Sequence, residues 1–254
     1  MAVLGSIISE IMGPVTEGIL PSGAAPDSLL TDLVSWWGLD QSSGTRWDSH
    51  GSNHLLESDP PLGQAGGKVN KALLLDDSAS PDQYLHHPAG HGCHAGPRDF
   101  TFVCWAYLQN ITLNHGIARV GIGPLGENHD WLLYYQASGL DRFRFYVPNG
   151  TAFWSTTANT FGLPVINTWY FFIGQYDFST GTMGISINNG TLDVLAGKSS
   201  PNTTGRDFEI GRFGTSQILD GREDEAAFWS RLLTSDEKAR LYNSGAGISY
   251  PGTN

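Results

Sequence analysis

Cysteine is almost missing from this chain: Cys93 and Cys104 are the only two, so at most one intrachain bridge can form and a disulfide-stapled scaffold is excluded. Charge is scarce as well, at 15% of residues, and basic charge is the scarcer kind, with 14 Lys and Arg against 25 Asp and Glu and a net charge of −11. Nucleic-acid affinity comes mainly from basic side chains that replace counterions along phosphates, so no nucleic-acid partner is expected. An acidic surface suits Ca²⁺ or neutral sugars better. No apolar run is long enough to span a bilayer. The opening MAVLGSIISEIMGP has no basic n-region and is interrupted at Glu10, so it does not read as a classical export signal. No Ser/His/Asp elbow, phosphate loop or Rossmann glycine fingerprint stands in a strand-to-helix context.

What is present is turn chemistry and aromatic residues: 32 Gly, 13 Pro, 8 Trp, 9 Tyr and 12 Phe in 254 residues, a composition suited to short strands joined by tight turns. From Leu33 onward, segments rich in β-branched and aromatic residues (LVSWWGL, ALLL, FTFVCWAYL, GIARVGI, WLLYY, RFRFYV, WYFFIGQYDF, MGISI, DFEIG, DEAAFW) alternate with clusters of Gly, Pro, Asn and Asp, the pattern of successive strands. FTFVCWAYL is apolar on both alternating sets, which predicts a central strand covered on both faces. RFRFYV-PNG-TAFWST and GTMGISI-NNG-TLDVLA predict hairpins, because Asn-Gly supplies the positive φ angles of a type I′ turn. Of four Asn-x-Thr sequons, at Asn110, Asn149, Asn189 and Asn202, the two Asn-Gly-Thr read better as such turns. One helix is predicted over 235–242, opened by a Thr234/Glu237 capping box and ended by Gly245. The expectation is an all-β, two-sheet antiparallel jelly-roll-like sandwich over residues 30–254, with Phe102, Trp105, Trp169, Phe171, Ile185 and Trp229 in its core. Residues 1–29 stand apart as an N-terminal helical arm. Val3, Leu4, Ile7, Ile8 and Ile11 recur at helical spacing before Gly13-Pro14, which suits a docking or assembly element; packing on its own domain is the plainer alternative.

Four stretches carry a family resemblance: LVSWWGLDQSSGTRWDSHGSNHLL; GGKVNKALLLD followed by DQYL; DFTFVCWAYL; and NTWYFFIGQYDFSTGTMGISINNG with FEIGRFGTSQILDGREDEAAFWSRLLTSDEKARLYNSGAG. Over roughly residues 33–250 the chain resembles the concanavalin A-like sandwiches, in particular the laminin G-like, pentraxin-like branch common in bacterial surface and phage proteins. The resemblance implies that Asp224-Glu225 stand where the final strand begins, in a structural or metal-binding role. The related β-glucanases carry Glu-x-Asp-x-Glu with all three acids on one face, whereas strand alternation here puts Glu223 and Glu225 on one face and Asp224 on the other. No hydrolase is therefore expected, since paired acid and nucleophile carboxyls must flank a substrate.

Three further groups are candidate sites. YLHHPAGHGCHAGP gathers His86, His87, His91, Cys93 and His94, residue types that suit Zn²⁺, but at no standard spacing; the alternative is a mobile, solvated connection. DSHGSN resembles the family's Asp-rich turn, so Asp48, the carbonyl of Gly51 and Asp224 are the expected structural calcium ligands, with turn capping as the alternative. For glycan binding, Arg142, Arg144 and Tyr146 are expected outward on a concave sheet face and joined by Trp154, while Phe143, Phe145 and Val147 point inward; cross-strand Arg and aromatic pairs also stabilise a sheet without a ligand. The functional expectation is a non-enzymatic structural or adhesion module, displayed on a virion as a decoration or fibre-like part, or on a cell surface, and binding glycans; a soluble lectin is the alternative. The arm would join it to other virion or surface proteins, or to copies of itself in a homo-oligomer.

Overall fold

The computed structural model describes residues 27–252, apart from 59–60, 80–81, 124–127, 150–152, 199–200 and 215–216. Strands form where the sequence alternates or runs apolar: β1 Leu33–Trp37, β2 Leu56–Glu57, β3 Gly63–Gly66, β4 Lys71–Leu75, β5 Leu85–His87, β6 Phe100–Leu108, β7 His115–Gly121, β8 His129–Gln136 and β9 Arg142–Tyr146. They continue with β10 Ser155–Thr157, β11 Thr168–Asp177, β12 Thr182–Ile187, β13 Asp193–Leu195, β14 Phe208–Ile210, β15 Arg212–Phe213, β16 Gln217–Ile218 and β17 Gly221–Trp229, and α1 follows at Ser235–Tyr242. The first sheet runs β13-β12-β11-β6-β17-β4-β3, with β1 also on β17, and the second runs β10-β9-β8-β7-β14-β5-β2. Every pairing in them is antiparallel.

The two sheets enclose one large apolar layer that includes Trp37, Phe102, Cys104, Trp131, Phe143, Phe145, Phe172, Ile185 and Phe228. Strand β6 is covered on both sides as its sequence predicts: Phe102 and Cys104 enter this layer, while Val103 and Trp105 join a second one on the outer face of the first sheet. That second layer holds Trp36, Phe171, Trp229, Leu233 and Leu241, with Trp169 packed against it, so α1 buries its Leu241 there. It also holds Leu29. Asp27 caps a short 3-10 turn at Ser28–Leu30, and the Trp229 indole N–H donates to the Leu29 carbonyl. Residues 27–29 therefore pack on the sandwich although they fall within the stretch assigned to the arm; Val3, Leu4, Ile7, Ile8 and Ile11 lie outside the described residues.

The helix opens as expected, with both halves of the Thr234/Glu237 capping box formed. It ends at Tyr242 as expected, although the left-handed cap is Asn243, ahead of Gly245, and its N–H donates to the Ala239 carbonyl. The β12–β13 turn is likewise shifted by one residue: Asn188 and Asn189 carry the positive φ angles and Gly190 closes the turn onto Ile187. Both cysteines are buried free thiols.

Candidate functional site

The acidic strand that opens β17 is built differently from simple alternation. The register against β6 slips between Asp224 and Ala227, and Glu225 has a φ of 46°, so a β-bulge inserts one residue here. Glu223, opposite Ala106, points into the layer between the sheets, where neither of its oxygens has a partner. Asp224, opposite Trp105, faces the other way, and Glu225 turns to the same side, where it accepts the Trp36 indole N–H. The expectation that Glu223 and Glu225 share a face is thus corrected by the bulge. Burial pushes the Glu223 carboxyl well above the ordinary carboxylate range, Asp224 up to about 8 and Glu225 up to about 9, the Asp224 charge adding to the last. All three are buried.

Asp48 acts as a turn cap. One carboxylate oxygen accepts the backbone N–H groups of Trp36 and His50, and the other accepts that of Asn53, while Asp224 accepts the N–H of Val69. Gly51 belongs to the Asp48 turn, where an added Cβ would lie 2.9 Å from an Asp48 oxygen. Asp48 and Asp224 share none of these partners. A carboxylate already facing three N–H donors is a poor cation ligand, so the Asp48, Gly51 and Asp224 set does not fit calcium well. Among the described residues, no three His, Cys, Asp or Glu side chains gather to hold a metal ion.

The histidine segment is partly packed. His86 and His87 lie on β5; His91 and Cys93 are buried, and the His91 and His94 rings stack 4.4 Å apart. His91 accepts the Cys93 N–H on Nδ1 and meets the Arg206 carbonyl through Nε2, and burial lowers its pKa to about 4. His94 meets the buried Asp130 at 2.9 Å. The packing is confined to these side chains, and residues 88–90 and 92 between them are exposed.

On β9, Phe143 and Phe145 face inward as expected, as does Val147 just after it. Arg142 and Arg144 are half-buried on the outer face; Arg144 donates to Gln136 at 2.5 Å and to Ser155, and Arg142 donates to the carbonyls of Leu140 and Asp141. Tyr146 also faces outward, but it is buried with Leu132, Tyr134 and Phe213. The cover is the β15–β16 hairpin, which lies over β7 so closely that a Cβ on Gly116 would sit 2.0 Å from the Arg212 backbone. Trp154 packs against the layer between the sheets instead of joining the arginines. A buried ion network missed by sequence reading fills the rest of this face: Arg119 and Arg212 both bind Glu209, and the Arg212 guanidinium lies 3.6 Å from the Tyr84 ring centre.

An open cleft of about 310 Å³ lies beside this hairpin, lined by Asp77, Thr112, Leu113, Asn114, His115, Ala137, Ser138, Gln217 and Ile218. It was not foreseen from the sequence. Its members come from the β4–β5, β6–β7 and β8–β9 connections, from the start of β7 and from β16, and the antiparallel β7–β8 and β15–β16 pairings help to bring them together.

These features agree with comparison to known proteins. A laminin G profile, described as concanavalin A-like lectin/glucanases superfamily, matches residues 78–237, and the chain belongs to that family. No curated protein sequence matches it. Among solved structures, domain 4 of AbnA, a GH43 extracellular arabinanase from Geobacillus stearothermophilus, in complex with arabinotriose, superposes with a TM-score of 0.63 at 14% identity, covering 85% of this chain and 98% of that one. The binding domain of Paraclostridial Mosquitocidal Protein 1 gives a TM-score of 0.65 at 13% identity over 85% of this chain and 53% of that one. The binding domain of botulinum neurotoxin DC in complex with SialylT gives 0.64 at 12% identity over 85% and 52%. The chain thus spans about half the length of these toxin binding domains, and at such identities the likeness is one of fold.

Proposed function

We propose that this chain is a non-enzymatic, lectin-like adhesion module that binds glycans without cleaving them. The observation that carries the reading is the division of its acids. The three consecutive carboxyls of β17 are buried, whereas the open cleft has, among the described residues, a single lining carboxylate, Asp77, beside hydroxyl and amide side chains. Glycoside hydrolysis needs two carboxyls flanking the bond; sugar binding needs polar groups around an apolar surface. Two of the structural relatives support it, one solved with arabinotriose and one with SialylT. The reading extends to display on a virion or cell surface, with the stretch before residue 27 as the attachment, and its support is the helical spacing of Val3, Leu4, Ile7, Ile8 and Ile11.

The test is a glycan array probed with the full chain, together with an assay for reducing ends released from the glycans retained. Retention of defined glycans with no release is expected. Release that disappears in Asp77→Asn would replace the reading with a hydrolase, and an array with no retained glycan would remove it.

A further inference from the structure

We infer that the cleft between Leu113, Ser138 and Gln217 is the glycan subsite and that it takes a neutral saccharide of one or two sugar units, a proposal that rests on the lectin reading. Its chemistry argues for this. Asn114 accepts the Ala137 N–H on its side-chain oxygen, which leaves its amide N–H groups free to donate into the cleft. Among the described contacts, the Ser138 hydroxyl and the Gln217 amide have no protein hydrogen-bond partner either, and each can both donate and accept. Asp77 supplies a carboxylate whose only described partner is the Asn110 amide at 3.5 Å. Leu113, 57% exposed, adds an apolar wall with Ala137 and Ile218. Donors, acceptors and an apolar wall together complement a ring that carries hydroxyls on its edge and C–H groups on its face.

Charge decides the class of sugar. Among the described residues, no Lys or Arg lines the cleft. Beside it, burial and then the nearby Asp77 and Asp76 charges raise the pKa of Asp220, so three carboxyls share this end of the sandwich. A carboxylated sugar would meet that negative field with no counter-charge. His115, behind the cleft, donates from Nδ1 to the Ile218 carbonyl and only partly offsets this field at Asp220, whose pKa stays raised. The arginines that would read an acidic sugar are engaged on β9. A volume near 310 Å³ is at the small end of ligand sites, which limits the occupant to one or two units.

The experiment is saturation-transfer NMR and calorimetry on the full chain with four probes: arabinotriose, lactose, N-acetylglucosamine and 3′-sialyllactose. At least one neutral probe should bind, and Leu113→Ala, Asp77→Asn and Gln217→Ala should each weaken it by roughly tenfold, as expected for loss of one well-placed contact. Leu113 and Gln217 are exposed or half-buried, so those two variants should keep the wild-type melting temperature. Binding of a neutral probe that all three variants retain overturns the subsite and leaves the lectin reading standing. So does binding of sialyllactose alone, particularly if Arg144→Ala abolishes it. Failure of all four probes to bind overturns the subsite, and the lectin reading then stands or falls on the glycan array.

Discussion

Glu223 is a costly side chain for the sandwich to bury. It is fully buried between the sheets beside Cys104, with both oxygens unpartnered, and an ionised carboxylate there would face a large desolvation penalty. The fold keeps it protonated, and Asp224 and Glu225 behave alike, with pKa values up to about 8 and 9. Unfolded carboxyls titrate near 4, so between about pH 4 and pH 9 these three groups hold more protons in the folded state than in the unfolded one. Their contribution to stability is therefore greatest at the acid end of that window and falls as pH rises through it. Glu223→Gln keeps the shape of the neutral acid and removes its titration. The variant should match the wild type at pH 4.5 and melt higher than it at pH 8.5 by several degrees, at about 2–4 °C per kcal/mol for a domain of this size. Parallel melting curves at both pH values would refute the account.

At the scale of elements, the β15–β16 hairpin connects fold to site. It lies on β7 over Gly116, the Phe213 ring covers Tyr134 at 5.2 Å, and Gln217 and Ile218 form one wall of the cleft. Gly116→Ala would force the hairpin away from the sheet. Overpacking of this kind costs about 1–3 kcal/mol, so urea denaturation should show that loss and saccharide binding should weaken, although no cleft residue has changed. Retained binding with full stability would mean that the hairpin does not position the cleft. What the sequence revealed at this scale was local. The Thr234/Glu237 box, the two-sided β6 and the β12–β13 turn depend on near neighbours, and they form within a residue or two of where they read. The Glu225 bulge depends on register against β6, and the burial of Tyr146 depends on Phe213, far along the chain. Neither leaves a mark on its own segment. The cleft combines four separate segments, so its residues looked like ordinary turn residues until the sheets were paired.

At the scale of the whole molecule, the question is where the sandwich stops and the apolar arm starts. The family match covers 78–237, but β1 pairs with β17, and Leu29 is fully buried in the outer layer. Arg231 donates to the carbonyls of Ser28 and Thr31. Asp27 pairs with Arg240 in a partly exposed bridge, which contributes little; Leu29 contributes more, since a fully buried leucine is worth roughly 1.5–3 kcal/mol. A truncation beginning at residue 27 should therefore melt within about 2 °C of the full chain, whereas one beginning at residue 31 should lose roughly 5–10 °C. If residues 1–26 are the assembly element, the shorter truncation will also fail to form any oligomer that the full chain forms by light scattering, and Ile7→Asp with Ile11→Asp will reproduce that loss without shortening the chain. If both truncations melt alike, Leu29 does not anchor the sandwich. If the chain beginning at residue 27 assembles as the full chain does, the apolar spacing before Gly13 serves something other than assembly, and display on a surface loses its support while glycan binding keeps its own.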